Sequence, residues 1–103
     1  MEYINNEQEL NEASKEGITI VDFYANWCGP CRMLSPVLEE FEEERKEVKV
    51  VKVDVDESRD LAMKYKISAI PALLIFKDGA LVKSEVGFMT KDDLNSIIDE
   101  IIA

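Results

Sequence analysis

The sequence predicts one α/β domain, with a central sheet and helices packed on both of its faces. The chain has 103 residues, of which 47% are hydrophobic, a composition typical of a globular domain with one core. An apolar run at 18–25 and a valine-rich run at 48–55 alternate with segments of helical periodicity. Later, a turn signal at 77–80 separates two further apolar runs, as in a β-hairpin. We therefore expect residues 1–103 to form one domain.

The first half of the chain predicts two helices around a buried strand. Asn6 can cap a helix over 7–15, with Glu9 at the third helical position as in a capping box. The run 18–25 is almost entirely apolar, as expected of a strand buried on both faces. A second helix is predicted to begin at residue 28 or its neighbour and to end near residue 46, because apolar residues recur there at three- and four-residue spacing.

The second half predicts a strand, a short helix and a hairpin. In the strand 48–55 alternate residues face opposite sides, which puts Lys52 on the same face as Val48 and Val50. A short helix is expected to start at residue 56 or 58 and to reach residue 65. The hairpin strands are then 72–76 and 81–86.

A final helix is predicted after Thr90, which can act as its cap, with Asp92 and Asp93 in the first turn. Its apolar stripe consists of Leu94, Ile97, Ile98, Ile101 and Ile102.

The charge of the chain excludes some classes of partner. The formal net charge is −10, from 22 acidic and 12 basic residues, which argues against nucleic acid and anionic membranes as partners.

No apolar run approaches the roughly 18 residues of a membrane helix, and the N-terminal residues lack the pattern of a signal peptide. We therefore expect a cytoplasmic protein. The acidic segment 39–44 fits a solvated helix face or a surface that steers basic partners, and the sequence leaves both open.

The two cysteines of the chain, Cys28 and Cys31, lie where the first long strand gives way to a helix. A helix start stabilises a thiolate, so Cys28 is predicted to be the nucleophile, while Cys31, one turn into the helix, is predicted to be the buried resolving thiol. Gly29 permits the tight turn between them, and Pro30 suits an early helical position because its missing N–H has no helical acceptor there. The spacing predicts a pair that cycles between dithiol and disulfide.

A structural or metal-binding role for the cysteine pair is less well supported. A permanent structural disulfide closing so short a loop would constrain the unfolded chain little. Zinc normally takes four ligands, and the chain has no histidine and no second cysteine pair, so no metal site is expected. An iron–sulfur cluster would require two chains to share it.

Asp22 is the one carboxylate within the apolar strand that precedes the cysteines. If its side chain is buried, its pKa is raised, and it can act as the proton acceptor for Cys31. The alternative is a strand residue whose side chain faces solvent.

The segment 21–32, V-D-F-Y-A-N-W-C-G-P-C-R, closely resembles the active-site segment of the thioredoxin family. Further on, 69–72 (A-I-P-A) resembles the proline loop of that family, 76–79 its late hairpin and 86–87 its final glycine. The resemblance spans most of the chain in the family's order. It implies a thioredoxin fold with a mixed central sheet, a short opening strand near residues 3 and 4, and activity as a protein-disulfide reductase and dithiol electron carrier.

The resemblance also implies roles for residues outside the cysteine pair. It implies a cis bond between Ile70 and Pro71 that presents backbone groups to an extended substrate segment. It implies that Gly87 allows close approach of a partner, that Trp27 contacts targets beside the cysteines, and that Lys52 is a charge partner of Asp22. A purely structural role is the alternative for each, including an ordinary strand-initial proline and a surface lysine.

The same resemblance implies the partners of a small monomeric electron carrier. A thioredoxin reductase, fed from NADPH or ferredoxin, would recharge the pair. Ribonucleotide reductase, peroxiredoxin and methionine sulfoxide reductase are the kinds of target implied, and no cofactor is expected in the chain itself. Tyr24, Ala72 and Phe88 depart from residues common in bacterial thioredoxins, which bears on partner preference. Two rivals stay open: a glutaredoxin-like or single-partner reductant, and a binding module that does not use its thiols.

Overall fold

Five strands and four helices lie along residues 1–103, all of which the computed structural model describes. In chain order they are β1 (Glu2–Tyr3), α1 (Glu7–Ser14), β2 (Ile18–Tyr24), α2 (Gly29–Glu44), β3 (Val48–Asp54), α3 (Arg59–Lys64), β4 (Ala72–Lys77), β5 (Ala80–Val86) and α4 (Lys91–Ile102). No helix combines the length and the apolar character needed to cross a membrane.

The strands form one mixed sheet in the order β1-β3-β2-β4-β5. β3 pairs in parallel with both β1 and β2, whereas β4 runs antiparallel to both β2 and β5. The predicted mixed sheet is therefore confirmed. β2 is its central strand, so the chain leaves the middle of the sheet immediately before the two cysteines.

Two apolar cores lie on opposite faces of this sheet, and two helices cover each. Alternate residues of β2 and β3 enter different cores, so Ile20 and Val50 lie on one face and Val21 and Val51 on the other. α2 and α4 cover the first core with Leu34, Leu38, Phe41, Leu94 and Ile98. α1 and α3 cover the second with Leu10, Ala13 and Leu61. The prediction of helices on both faces is confirmed.

The boundaries of the predicted elements hold to within one or two residues, with two corrections of detail. Asn6 caps α1 as predicted, with its side chain accepting a hydrogen bond from the Glu9 backbone N–H. The Glu9 carboxylate, however, accepts from the backbone N–H of Asn5 rather than of Asn6, so the predicted capping box is displaced by one residue. In α4 the apolar stripe ends before Ile102, which is 48% exposed and is the last residue of the helix.

The capping box of α4 gives a first testable result. The Thr90 hydroxyl accepts from the Asp93 backbone N–H at 3.1 Å, and the Asp93 carboxylate accepts from the Thr90 backbone N–H at 3.0 Å. Thr90→Ala is expected to lower the free energy of unfolding by about 1 kcal/mol, because it leaves helix N–H groups without an acceptor. Urea unfolding measures the change, and Thr90→Ser, which keeps the hydroxyl, is the control. Equal stability of Thr90→Ala and Thr90→Ser would contradict the assigned cap.

Candidate active site

The cysteine pair forms the first turn of α2. Cys28 is the N-cap residue and Cys31 lies in the first turn of the helix, with their Cα atoms 5.3 Å apart and their sulfurs joined in a disulfide. The Cys28 sulfur also accepts a hydrogen bond from the Cys31 backbone N–H at 3.2 Å. Gly29 and Pro30 complete the turn, and the missing N–H of proline costs nothing there because the first helical N–H groups have no intrahelical acceptor.

Both cysteines are buried, and they differ in their surroundings. Cys28 is 6% exposed and Cys31 is 2% exposed. The Cys28 sulfur lies 3.9 Å from the carbonyl oxygen of Ile70, which belongs to the loop before β4. Cys28 is the sulfur at the helix N-terminus, where the aligned N–H groups stabilise negative charge.

The loop before β4 runs directly beside Cys28. The Ile70–Pro71 peptide bond is cis, Ile70 is half-buried and Pro71 is buried. The Pro71 carbonyl accepts a hydrogen bond of 2.8 Å from the backbone N–H of Gly87, which ties the segment after β5 to this loop. Gly87 has φ of +100°, a backbone conformation that favours glycine, while a Cβ at this position would meet no atom within 4 Å. Backbone conformation rather than lack of space therefore accounts for this glycine.

Trp27 places a large apolar surface next to the disulfide. Its side chain is 69% exposed, and its indole Nε1–H donates a hydrogen bond of 2.9 Å to the Asp56 carboxylate. Phe88, after Gly87, is exposed as well. The indole is thus held by one edge while the rest of the ring remains available for contact. Sequence reasoning did not identify Asp56 as a site residue, because it lies 29 positions away from Trp27 and has the pattern of a helix-start residue.

Asp22 is fully buried in the middle of β2, and neither of its carboxylate oxygens has a hydrogen-bond partner. Burial raises the pKa of Asp22 to about 6, and the positive charge of Lys52 works in the opposite direction. A carboxylate in this state can accept a proton near neutral pH, which a surface aspartate does poorly.

Lys52 is paired with Asp22 in the register of β2 and β3, but the two side chains do not form an ion pair. Lys52 is 6% exposed, so it is not a surface lysine. Its ammonium donates a hydrogen bond of 2.9 Å to the Ser35 hydroxyl on α2 and lies 4.3 Å from the centre of the Tyr24 ring. The charge of Lys52 therefore acts on Asp22 through space. Ser35 is a second residue that sequence reasoning did not identify.

The electrostatic link between these residues predicts a measurable change. Lys52→Met is expected to raise the pKa of Asp22 above about 6, because it removes the positive charge that favours the ionised carboxylate and leaves the burial unchanged. The carboxyl carbon shift of Asp22 followed by NMR against pH gives the pKa directly. Lys49→Met, on the same strand and with the same loss of charge, is the control and should leave it unchanged. A lowered or unchanged pKa in Lys52→Met would be the contrary result.

Of the predicted site residues, the structure gathers Trp27, Cys28, Cys31, Ile70 and Pro71 around the disulfide, with Gly87 bound to the proline loop. Asp22 and Lys52 are buried at paired positions of β2 and β3, and Lys52 shares the lining of one cavity with Cys31. No cluster of three or more His, Cys, Asp or Glu side chains is arranged to hold a metal ion. The arrangement can perform thiol–disulfide exchange through the Cys28–Cys31 pair.

Comparison with known proteins gives one consistent result. A protein-family model described as thioredoxin matches residues 2–100. A thioredoxin from Bacillus subtilis is 43% identical over 95 residues, which cover 91% of each chain.

The fold is shared with solved structures as well. A point mutant of a thioredoxin from Halobacterium salinarum superposes with a TM-score of 0.90 at 39% identity, over 96% of this chain and 88% of that one. A second similar chain comes from a structure concerning the thiol-resolving mechanism of a yeast mitochondrial 1-Cys peroxiredoxin via the glutathione and thioredoxin systems. It superposes with a TM-score of 0.89 at 33% identity, over 97% of this chain and 94% of that one.

Proposed function

The chain belongs to the thioredoxin family, and on that premise we propose that Cys28 attacks the disulfides of target proteins and that Cys31 resolves the resulting mixed disulfide. The activity is that of a protein-disulfide oxidoreductase, which carries electrons by thiol–disulfide exchange. The observation that supports the assignment of roles most directly is the position of Cys28 as the N-cap of α2, with Cys31 one turn inside the helix. The helix N-terminus favours the thiolate at Cys28, and the thiolate is the nucleophile.

The proposed cycle starts from the reduced pair. The Cys28 thiolate attacks one sulfur of a target disulfide, and the electron pair of the broken S–S bond leaves on the other target sulfur. Cys31 then loses its proton and attacks the Cys28 sulfur, so that the second target sulfur leaves as a thiolate. The target has gained two electrons and, with protons from solvent, two thiols, while the Cys28–Cys31 disulfide remains.

Asp22 is proposed as the acceptor of the Cys31 proton in the second step. Its burial and its unpartnered oxygens support this role, because a pKa of about 6 gives a carboxylate that is ionised at neutral pH yet more basic than an ordinary aspartate. Lys52 is proposed to adjust the basicity of Asp22 through its charge.

Targets are proposed to bind across the surface around the disulfide. The Ile70 carbonyl and the Pro71 loop would pair with an extended target segment next to Cys28, and the exposed face of Trp27 would cover apolar target side chains. The segment at Gly87 would line the far side of the same loop. Gly29 and Pro30 shape the turn that presents Cys28.

We propose thioredoxin reductase as the partner that recharges the pair. Enzymes that form disulfides during turnover, such as ribonucleotide reductase, peroxiredoxin and methionine sulfoxide reductase, are the proposed targets. The similar chain from the yeast peroxiredoxin structure supports peroxiredoxin as a target. The net charge of −10 disfavours nucleic acid and anionic membranes as partners.

We propose that the protein acts as a monomer in the cytoplasm. Residues 1–103 are proposed to form one thioredoxin domain. A reducing compartment fits a cysteine pair that must be returned to the dithiol after each turnover. The chain itself is proposed to need no cofactor.

Reduction of insulin disulfides tests the proposal, with an NADPH-linked and a ferredoxin-linked reductase compared as electron source. Insulin thiols are expected to appear with the intact chain and with one of the two reductases. The Cys28→Ser/Cys31→Ser double variant is the control and is expected to be inactive. Insulin reduction by the double variant, or none by the intact chain with either reductase, would favour a binding module that does not use its thiols.

A further inference from the structure

The ammonium of Lys52 is held to one side of Asp22. Its Nζ donates a hydrogen bond of 2.9 Å to the Ser35 hydroxyl and lies over the Tyr24 ring, 4.3 Å from the ring centre. Both oxygens of Asp22 lack a partner, although Asp22 and Lys52 are paired across β2 and β3. A buried ammonium and a buried carboxylate thus occupy neighbouring strands without joining in an ion pair.

We propose that Ser35 is a positioning residue for the resolving step of the exchange: its hydroxyl holds the Lys52 ammonium away from Asp22, which leaves both carboxylate oxygens free to accept the Cys31 proton. This inference rests on the proposed role of Asp22 as the proton acceptor. Ser35 acts through Lys52, by fixing where a positive charge is placed.

The side chains that contact the Lys52 ammonium are uncharged, so its positive charge is not neutralised by an ion pair. A buried ammonium requires acceptors, and here all of them are neutral. Ser35 supplies a hydroxyl, Tyr24 supplies a ring face, and the Tyr3 ring lies 5.8 Å from Nζ. Burial raises the pKa of the Tyr24 hydroxyl to about 12, so that ring stays uncharged at neutral pH. Without the Ser35 hydroxyl, the unsatisfied acceptors on the paired strand are the oxygens of Asp22.

No other charged group around Asp22 and Lys52 takes the place of the Lys52–Ser35 hydrogen bond. Arg32 on α2 is exposed and donates to the Asn26 carbonyl at 3.0 Å. Asp54, at the end of β3, accepts from the backbone N–H of Asp56. On β4 the residue paired with Asp22 is Leu73, and α4 packs on this face through apolar side chains. Lys52 is therefore the cation whose position matters to Asp22.

A cavity that opens to solvent lies beside the contact, and the Lys52 side chain borders it. The cavity has a volume of about 190 Å³, and its lining includes Cys31, Ser35, Lys52 and the two tyrosines. If the hydroxyl is removed, Lys52 can turn toward Asp22 and pair with it. An adjacent cation lowers the pKa of a carboxylate, so Asp22 becomes a weaker base for the Cys31 proton.

The test compares Ser35→Ala with Ser35→Thr, which keeps the hydroxyl. In the oxidised protein, Ser35→Ala is expected to lower the midpoint of the Asp22 titration, followed by NMR, by about 1 pH unit. In the reduced protein, the pH profile for resolution of a mixed disulfide is expected to shift downward with it. Ser35→Thr is expected to retain the original midpoint. In a Lys52→Met background, Ser35→Ala is expected to produce no shift.

Each contrary outcome has a separate meaning. An unmoved midpoint in Ser35→Ala, or an equal shift in the Lys52→Met background, overturns the inference about Ser35 alone, provided that Asp22→Asn still slows resolution. Resolution that keeps its rate and pH profile in Asp22→Asn removes the proposed role of Asp22 and the inference with it. Ser35→Ala replaces a helix residue by a better helix former, so loss of the fold does not obscure the result.

Discussion

Cys31→Ser is expected to accumulate target proteins as mixed disulfides through Cys28, whereas Cys28→Ser is expected to trap almost none. The reason is the position of the two sulfurs. Cys28 caps α2 and lies beside the Ile70 carbonyl, where targets are proposed to bind, while Cys31 lies within the first turn of the helix. Without Cys31 the first attack still proceeds, but no internal thiol is left to release the target.

Non-reducing gels of each variant mixed with a disulfide-containing target measure the trapped species. Both variants should lose catalytic turnover, so the trapped complex rather than activity distinguishes the two roles. The double variant Cys28→Ser/Cys31→Ser gives the background. Equal trapping by the two single variants, or more trapping by Cys28→Ser, would reverse the assignment of nucleophile and resolving thiol.

Much of the fold could be predicted from short stretches of sequence. β2 is apolar except for Thr19 and Asp22, and β3 is rich in valine; in a sheet covered on both faces such segments become interior strands. The turn at Asp78 and Gly79 and the cap at Thr90 are equally local, because turn chemistry and capping depend on a few adjacent residues. The cysteine pair could likewise be predicted from adjacent residues, because one helical turn brings both thiols together.

The parts of the site that could not be predicted depend on residues far apart in the chain. The hydrogen bond from Trp27 to Asp56 and the one from Lys52 to Ser35 join different elements, and hydroxyls and carboxylates at such positions are ordinary on a protein surface. Only the family resemblance suggests that Lys52 and Asp22 are paired. The direction in which the Lys52 ammonium points depends on packing between β3 and α2, which no local pattern encodes.

Asp22→Ala is expected to make the protein more stable, and the gain is expected to be larger at pH 8 than at pH 4. Burial raises the pKa of Asp22 to about 6 in the folded protein, against about 3.9 for an unfolded aspartate. At a pH below both pKa values, the carboxyl is protonated in the folded and the unfolded state, so its titration does not lower the free energy of unfolding. Between them the folded state holds a proton that the unfolded state has released, so stability falls as pH rises, and the loss is complete above the folded pKa.

The size of this effect follows from the two pKa values. A difference of about 2 pH units corresponds to about 3 kcal/mol of stability lost above pH 6, which the alanine variant should regain. The variant also leaves a small cavity, but that cost is the same at both pH values and cancels in the comparison. Urea unfolding of the oxidised protein and of Asp22→Ala at pH 4 and pH 8 gives the difference, with Asp92→Ala on the exposed first turn of α4 as the control for loss of a carboxylate. A gain in stability that does not depend on pH would mean that Asp22 does not carry the buried charge that its role as the acceptor of the Cys31 proton requires.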